Sequence, residues 1–339
     1  MSLVALTGAS GHIGGNLVRA LLSQGRQVRV LVRRDTRALE GLDVERIGGD
    51  VLKPDSLWAL VEGADIVYNL AAHITILRND PRATEVNVQG PRNVARACLK
   101  AGVKRLVHFS SVHALKDHPL DEPLDETRAL ADASVSLVYN RSKADGEREI
   151  QAAIREGLDA VILNPTGVIG PLDTRLSPMG ELIQQLATGR MPALVHAGYD
   201  FVDVRDVVQA ALTAESLGRS GERYLLSGHH ISFADLSRLI AAETGIAPPR
   251  FTSPMWMARM SAPFATGWAK MTGKRPKVTS ASLEVLRGNT DIRHDKASNE
   301  LGHHPRPMAD TIADTIAWMR EAGLVPTRGA DAGGSREHA

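Results

Sequence analysis

A tyrosine and a lysine stand four positions apart at Tyr139 and Lys143, and two serines, Ser110 and Ser111, precede them in the chain. Residues four apart share one face of a helix, so the phenol and the ammonium are expected to be neighbours. A phenol with a pKa of about 10 is a poor acid at neutral pH, and a nearby cation lowers that pKa by favouring the phenolate. The spacing therefore predicts proton transfer at Tyr139, assisted by Lys143.

The two serines close the apolar segment Leu106–Ser110, which is typical of a buried strand. Open α/β sheets bind ligands at the carboxyl ends of their strands, so a serine hydroxyl there could hold a substrate carbonyl beside the phenol. Taken alone, a tyrosine and a lysine at this spacing are more often an exposed helix pair. The preceding serines and a glycine-rich turn at the start of the chain favour an active site instead.

That turn is the segment Thr7–Gly14, which directly follows the first apolar segment and opens the first helical one. Closely spaced glycines allow a tight turn and a close approach to a pyrophosphate, whose charge then meets the free N–H groups of a helix N-terminus. The strand–turn–helix context predicts a dinucleotide site. We assign to it the turn residues Gly8, Ser10, Gly11, His12, Ile13 and Gly14.

The end of the second predicted strand bears on which dinucleotide binds. NAD-binding chains usually place an acidic residue there for the ribose 2′-hydroxyl, whereas this chain has Arg33 and Arg34, with Asp35 as the first acid. Arginine suits a 2′-phosphate through charge-assisted contacts, although the pair could equally be solvated. We predict NADP, with NAD as the alternative, and we expect Asp50 and Val51 to flank the adenine.

Together these motifs resemble the extended short-chain dehydrogenase/reductase superfamily of the NAD-dependent epimerase/dehydratase type, most closely in the style of its dihydroflavonol-reductase-like members. The resemblance runs to about Gly323 and rests on further segments in family order: Gly49-Asp50, Leu70–Ala72, Asn87–Gly90 with Asn93, Phe109–Ser111, Asn164–Pro171, Phe201–Asp206 and Asp295–Gly302.

The resemblance implies roles for individual residues. Tyr139 would be the general acid and base, Lys143 would bind the nicotinamide ribose and lower the tyrosine pKa, and Ser111 would polarise the substrate carbonyl, with Ser110 as the fallback. The residues implied to line the dinucleotide are Leu70, Ala71, Ala72, Asn164 and Pro165.

The predicted activity is NADP-dependent hydride transfer between the nicotinamide and a carbonyl or secondary alcohol of a small organic substrate. A nucleotide-sugar epimerase or dehydratase, which oxidises its sugar transiently, is the alternative. Ile169 stands where epimerase-like members usually have tyrosine, and Arg175, Arg275 and Arg293 form no evident cluster for a diphosphate. A dinucleotide-sensing regulator is a third hypothesis, disfavoured because such proteins commonly lack the tyrosine and lysine.

The elements that must position these residues are short apolar segments alternating with helical periods. The predicted strands, apolar on both faces, are Leu3–Thr7, Val28–Val32, Ile66–Leu70, Leu106–Ser110, Ala160–Asn164 and Tyr224–Leu226. This alternation predicts an α/β Rossmann fold with a doubly wound parallel sheet and a smaller, discontinuous C-terminal substrate lobe.

The predicted organisation assigns residues 1–170 and about 201–230 to the NAD(P)-binding domain. Residues of about 171–200 and 231–325 form the substrate lobe, and 326–339 form a flexible tail rich in Gly and Ala. The segment Met255–Met271 carries methionine and tryptophan at helical spacing. It is either a lobe-packing face or an apolar lid over the substrate.

Composition excludes several classes of protein. The 339 residues carry 40 Lys+Arg and 39 Asp+Glu, and this net charge of +1 gives no field for nucleic acid or anionic lipid. No apolar run is long enough for a membrane span. The single cysteine, Cys98, fits a reducing, cytoplasmic location. The histidines lack metal-ligand spacing, so we expect them on the surface or in loops and predict no metal site.

The resemblance also implies a homodimer. Family members pair the two helices that correspond to Thr84–Ala101 and Tyr139–Arg155 in a four-helix interface. Apolar residues beyond one core stripe, among them Ala95, Leu99, Ala144 and Ala153, support that expectation.

Overall fold

The computed structural model describes residues 2–257, 260 and 288–326. Its strands are β1 (Leu3–Thr7), β2 (Gln27–Val32), β3 (Glu45–Gly48), β4 (Ile66–Asn69), β5 (Arg105–Phe109), β6 (Ala160–Pro165), β7 (Gly167–Ile169), β8 (Leu194–Val195), β9 (Gly198–Asp203), β10 (Arg223–Leu226), β11 (His229–Ser232) and β12 (Thr252–Ser253). Its helices are α1 (His12–Ser23), α2 (Pro54–Val61), α3 (Pro81–Thr84), α4 (Gly90–Ala101), α5 (Val138–Arg155), α6 (Pro178–Ala187), α7 (Val204–Ala214), α8 (Phe233–Thr244), α9 (Asp295–Leu301) and α10 (Met308–Glu321).

A parallel sheet of seven strands forms the centre, in the order β10-β6-β5-β4-β1-β2-β3. All six predicted strands lie in it, which confirms the Rossmann fold. The seventh, β3, was not predicted because it lies at the sheet edge and its side chains are largely exposed, so it lacks a continuous apolar run.

The central strands bury side chains on both faces, as a parallel sheet covered by helices requires. On one face Leu6, Val107 and Leu163 pack with residues of α1 and α7. On the other, Ala5, Leu106 and Ile162 pack with α2, α4 and α5. Hydrophobic layers on both sides therefore fix the carboxyl ends of the strands along one edge.

The chain order changes direction at β1, which lies between β2 and β4. The connections from β1 lead through β2 to β3 on one side, while β4, β5 and β6 follow on the other. Such a switch point opens a crevice at the carboxyl ends of β1 and β4, which is where open α/β sheets bind their ligands.

A second layer follows β6. Strands β7, β9 and β11 form one small sheet and β8 pairs with β12. Around them α6, α8 and α10 share a hydrophobic core that includes Ile183, Phe201, Ile240 and Ile316. Phe201 thus lies in the second layer, while Val202 and the following helix α7 pack on the central sheet.

Several predictions concern residues outside this description. Most of the segment Met255–Met271, Arg275 and the proposed tail beyond Pro326 lie there. Among the described helices, none is long and apolar enough to cross a membrane.

Candidate active site

The glycine turn lies at the switch point and touches the loop after β4 through backbone atoms. Gly8 has φ of 71°, and a Cβ on it would lie 2.6 Å from the carbonyl carbon of Leu70 and 2.7 Å from the nitrogen of Ala71. A Cβ on Gly14 would overlap the Gly8 carbonyl oxygen. Only glycine fits these two positions, and the fit places Leu70 and Ala71 beside the turn.

Helix α1 starts from this turn without a side-chain cap. Gly11 occupies the N-cap position in an extended conformation and offers no side chain to the first N–H groups. An uncapped helix N-terminus beside glycines suits a phosphate. The predicted pyrophosphate site is therefore built from backbone donors.

The side chain of His12 is engaged elsewhere. Its Nε2 lies 3.0 Å from the carbonyl oxygen of Pro171, which also accepts a hydrogen bond of 3.2 Å from Asn16 Nδ2. Burial lowers the pKa of His12, so the ring is neutral at physiological pH. His12 can then serve a phosphate only through its backbone N–H, while its ring holds the segment after β7 against α1.

At the end of β2 the arginines are exposed and the first acid is already paired. The Arg33 side chain is 60% exposed and its guanidinium lies 3.6 Å from Asp50; Arg34 is exposed as well. The Asp35 carboxylate forms ion pairs of 2.8 Å with Arg37 and 3.0 Å with Arg175. Hydrogen bonds from Arg37, with the charge of Arg175, hold the pKa of Asp35 well below its usual range.

Helix α4 supports the position expected for the adenine. Asn93 donates a hydrogen bond of 3.0 Å to the carbonyl oxygen of Val51, and a Cβ on Gly90 would lie 3.1 Å from the Val51 side chain. Asp50 lies between two guanidinium groups, 3.6 Å from Arg33 and 3.7 Å from Arg82. Val51 is buried and Ala72 is exposed.

Tyr139 lies in the first turn of α5, and its phenol lies beside Ser111, two residues after β5. Burial raises the pKa of this phenol, although the contact with Ser111 lowers it. Burial outweighs the contact with Ser111, so the net effect on the phenol pKa is opposite to the lowering expected from Lys143. The side chain of Ser110 is buried and its hydroxyl has no partner among the described residues.

Lys143 is almost fully buried and donates a hydrogen bond of 2.8 Å from Nζ to the carbonyl oxygen of Phe109. Burial lowers its pKa to about 8, while the nearby carboxylate of Glu147 acts to raise it. The ammonium is thus charged at neutral pH but loses its proton more readily than an ordinary lysine.

The sequence prediction missed Glu147, one helical turn beyond Lys143. Its buried carboxylate accepts a hydrogen bond of 2.6 Å from Asn164 Nδ2 and lies 3.2 Å from the Arg223 guanidinium. The same Asn164 amide nitrogen is 2.9 Å from the carbonyl oxygen of Ser111. Asn164 therefore links α5 to the loop that carries Ser111, which we call the serine loop. Pro165 follows Asn164 and is the last residue of β6, and it is buried. The sequence signal that could have identified Glu147 was its position four residues after Lys143.

A histidine and a second tyrosine adjoin the phenol and were also missed. His113 Nε2 lies 2.6 Å from the hydroxyl of Tyr199 in β9, and the centroids of the His113 and Tyr139 rings are 6.2 Å apart at 71°. Burial lowers the pKa of His113 and raises that of Tyr199, so both are neutral. His113 could have been noticed two residues after Ser111, whereas Tyr199 lies 86 residues further on without a local signal.

The histidines do not follow the sequence expectation throughout. His108 and His303 are buried, not on the surface. His108 Nδ1 lies 3.0 Å from Asn69 Nδ2, and burial beside the charge of Lys143 holds the pKa of His108 well below its usual range. In the described ranges, no three His, Cys, Asp or Glu side chains could together hold a metal ion.

The parallel sheet, its switch point and the glycine turn define an enzyme of the Rossmann dinucleotide-binding class. The chain belongs to the NAD dependent epimerase/dehydratase family, whose model matches residues 4–227. It is 35% identical to sterol demethylase protein B of Methylococcus capsulatus over 327 residues, which cover 94% of this chain and 99% of the relative. It is 32% identical to a candidate dihydroflavonol 4-reductase of Synechocystis sp., with 95% and 96% covered.

Among solved structures, the crystal structure of gox2253 is similar to this one. It has a TM-score of 0.83 and 34% sequence identity, and the match covers 96% of this chain and 99% of that chain.

Proposed function

We propose that the protein is an NADP-dependent reductase that transfers hydride to the carbonyl carbon of a small organic substrate, and in reverse oxidises the secondary alcohol. The observation that carries the proposal is the buried Tyr139 phenol beside Ser111 at the carboxyl edge of the sheet, with Lys143 one helical turn away and bonded to the Phe109 carbonyl oxygen. NADP supplies or accepts the hydride when bound. The candidate residues for holding it are the glycine turn, Leu70–Ala72 and Lys143, with Asn164 and Pro165 beyond.

The protein's own residues supply the proton that the substrate oxygen takes up. Ser111 and Tyr139 donate hydrogen bonds to the substrate oxygen, and the Tyr139 hydroxyl releases its proton to that oxygen as charge develops on it. The raised pKa of Tyr139 keeps the phenol protonated at neutral pH, which suits reduction. Lys143, charged below about pH 8, binds the ribose and compensates the phenolate that is left.

NADP is preferred over NAD because of the charges after β2. Arg33 and Arg34 are exposed cations, and the Asp35 carboxylate, which would otherwise suit a ribose 2′-hydroxyl, is paired with Arg37 and Arg175. A 2′-phosphate would meet arginine there instead of a free carboxylate.

The second candidate function is transient oxidation of a nucleotide sugar, which the family also carries out. Such a substrate needs cations for its diphosphate, and two of the three candidate arginines are already in ion pairs. Arg175 pairs with Asp35, and Arg293 pairs with Asp291. Ile169 is buried in the core of the second layer, so it cannot replace the tyrosine of epimerase-like members. The relative named for 4-reductase activity on a dihydroflavonol adds support for a reductase.

The reaction is tested with cyclic ketones and nucleotide-diphosphate sugars, each with NADPH and with NADH. We expect oxidation of NADPH by ketones and a lower kcat/KM with NADH. Exchange of solvent label into a sugar without net oxidation of cofactor would instead establish the epimerase.

Replacement of Tyr139 by phenylalanine tests the role of the phenol. Loss of the proton donor should lower kcat by about 10²–10⁴-fold, with NADPH affinity within a few-fold of the parent because the ring is retained. Turnover at the parental rate would make Tyr139 an ordinary helix residue.

We also propose that the second layer, residues of about 171–200 and 231–325, is the substrate lobe, and that the rest of the chain up to about residue 230 binds the cofactor. The buried thiol of Cys98 supports a reducing, cytoplasmic location. A homodimer through α4 and α5 completes the proposal.

A further inference from the structure

His113 and Tyr199 form a neutral pair beside the proposed proton donor. The two side chains are joined by a contact of 2.6 Å between His113 Nε2 and the Tyr199 hydroxyl, and both line a cleft with Asp117, Asp200 and His230. The His113 ring stands edge-to-face against Tyr139. We call His113 and Tyr199 the dyad.

The dyad is held in place from three sides. The backbone N–H of His113 donates to Ser111 Oγ at 3.2 Å, so the imidazole is fixed relative to the proposed site. The Tyr199 ring stands at 60° against Phe201 with centroids 5.5 Å apart. It also lies over Gly167, where a Cβ would come within 2.7 Å of the ring. A glycine in β7 is thus required for Tyr199 to occupy its position.

The dyad retains hydrogen-bonding capacity that the described residues do not use. His113 Nδ1 is buried and has no partner among them. If the Tyr199 hydroxyl donates its hydrogen bond to Nε2, the neutral ring carries its one N–H proton on Nδ1, which is then a free donor. In the other tautomer Nε2–H donates to the Tyr199 oxygen, which leaves Nδ1 as a free acceptor and the Tyr199 O–H as a free donor. An unpaired buried polar group is unfavourable, and a ligand oxygen entering the cleft would satisfy it.

Resting on the proposed reduction, we infer that the dyad binds a second, uncharged oxygen of the substrate, a hydroxyl or carbonyl adjacent to the reacting carbonyl. Adjacency follows because the backbone N–H of His113 bonds to Ser111 and its ring packs edge-to-face on Tyr139, the two residues proposed to hold the reacting oxygen. The second oxygen is uncharged because the carboxylates of Asp117 and Asp200 line the same cleft and would repel an anion.

Two ring ketones of nearly equal size test this inference: 3-hydroxychroman-4-one and 3-methylchroman-4-one. With NADPH, the parent enzyme should prefer the hydroxy compound about tenfold in kcat/KM, the ratio that one hydrogen bond of ordinary strength produces.

The variants His113→Phe and Tyr199→Phe keep the rings and remove the polar atoms. Each should bring the ratio of the two ketones close to one, because kcat/KM for the hydroxy compound falls about tenfold further than kcat/KM for the methyl compound. Tyr224→Phe is the matched control: it also removes a hydrogen-bonded phenol, one that contacts Glu300 away from the cleft, and should keep the parental ratio. NADPH affinity checks that each variant is folded.

The outcomes separate the two proposals. A ratio near one in the parent, or a tenfold ratio that persists in both dyad variants, overturns the role of the dyad and leaves the reductase intact. If neither ketone is reduced, both the reductase and the dyad are overturned.

Discussion

Buried charges of opposite sign occupy one face of α5. Lys143 and Glu147 are one turn apart, and Asn164 joins the glutamate to the loop that carries Ser111. Burial of an ammonium disfavours its charge, and a neighbouring carboxylate offsets that cost. Glu147 is therefore expected to act through Lys143 as a positioning residue, although it touches neither substrate nor cofactor.

Replacing Glu147 by glutamine should alter the pH dependence of NADPH binding. The pKa of Lys143 is lowered to about 8 by burial and Glu147 acts to raise it, so loss of the carboxylate lowers it further. The ammonium is charged only below its pKa, so NADPH affinity should begin to fall at a lower pH than in the parent. Fluorescence titration of NADPH across neutral and alkaline pH measures this shift.

A second glutamate on the same helix provides the control. Glu149→Gln removes a carboxylate that pairs with Arg92 on the surface, and its binding profile should match the parent. Glutamine at position 147 can still accept from Asn164, so the serine loop should stay in place. A profile unchanged by Glu147→Gln would mean that this carboxylate serves only the Arg223 ion pair.

The elements differ in how far local sequence could predict them. Six strands of the main sheet were predictable because each has a short apolar run that is largely buried, and the glycine turn because its strand–turn–helix context is local. Strand β3 is exposed at the edge, and β7, β9 and β11 are short pieces paired across distant parts of the chain. The same limit applies to the site: Tyr139 and Lys143 are neighbours in sequence, whereas His113 meets Tyr199 only through the packing of two layers.

Two glycines with the same φ angle differ in the space that their surroundings leave for a side chain. Gly8 and Gly25 both have φ of 71°, but a Cβ on Gly25 would meet nothing within 4 Å, whereas one on Gly8 would overlap the backbone of Leu70. Gly25→Ala should cost only the left-handed strain, about 1 kcal/mol of unfolding free energy. Gly8→Ala should cost more and should also weaken NADPH binding, because the crevice must widen.

Chemical denaturation and NADPH titration of the two variants test this comparison. Equal losses of stability with unchanged cofactor affinity would show that contact between the two loops is unimportant for the dinucleotide site.

At the scale of the whole molecule, the outer face of α4 and α5 is the surface proposed for the homodimer. Of the residues expected to extend its apolar surface, Ala95, Ala144 and Ala153 are buried within the protein itself, so that part of the prediction is wrong. The exposed side chains are instead charged. Arg92 forms an ion pair of 2.6 Å with Glu149, and Arg96 forms another ion pair with Glu156.

A two-fold axis would bring this mixed-charge face against itself, so that the arginines of each copy could pair with glutamates of the other. We therefore expect the parent to sediment at twice the 36.5 kDa of one chain at micromolar concentration.

The double variant Arg92→Glu/Arg96→Glu would set like charges against each other across this interface and should sediment as a monomer. Within one copy it replaces two exposed ion pairs by two exposed pairs of like charge, each change worth about 1 kcal/mol or less in solvent, so its unfolding midpoint should fall only slightly. A parent that sediments at 36.5 kDa would contradict the dimer, and a double variant that stays dimeric would place the interface on another face.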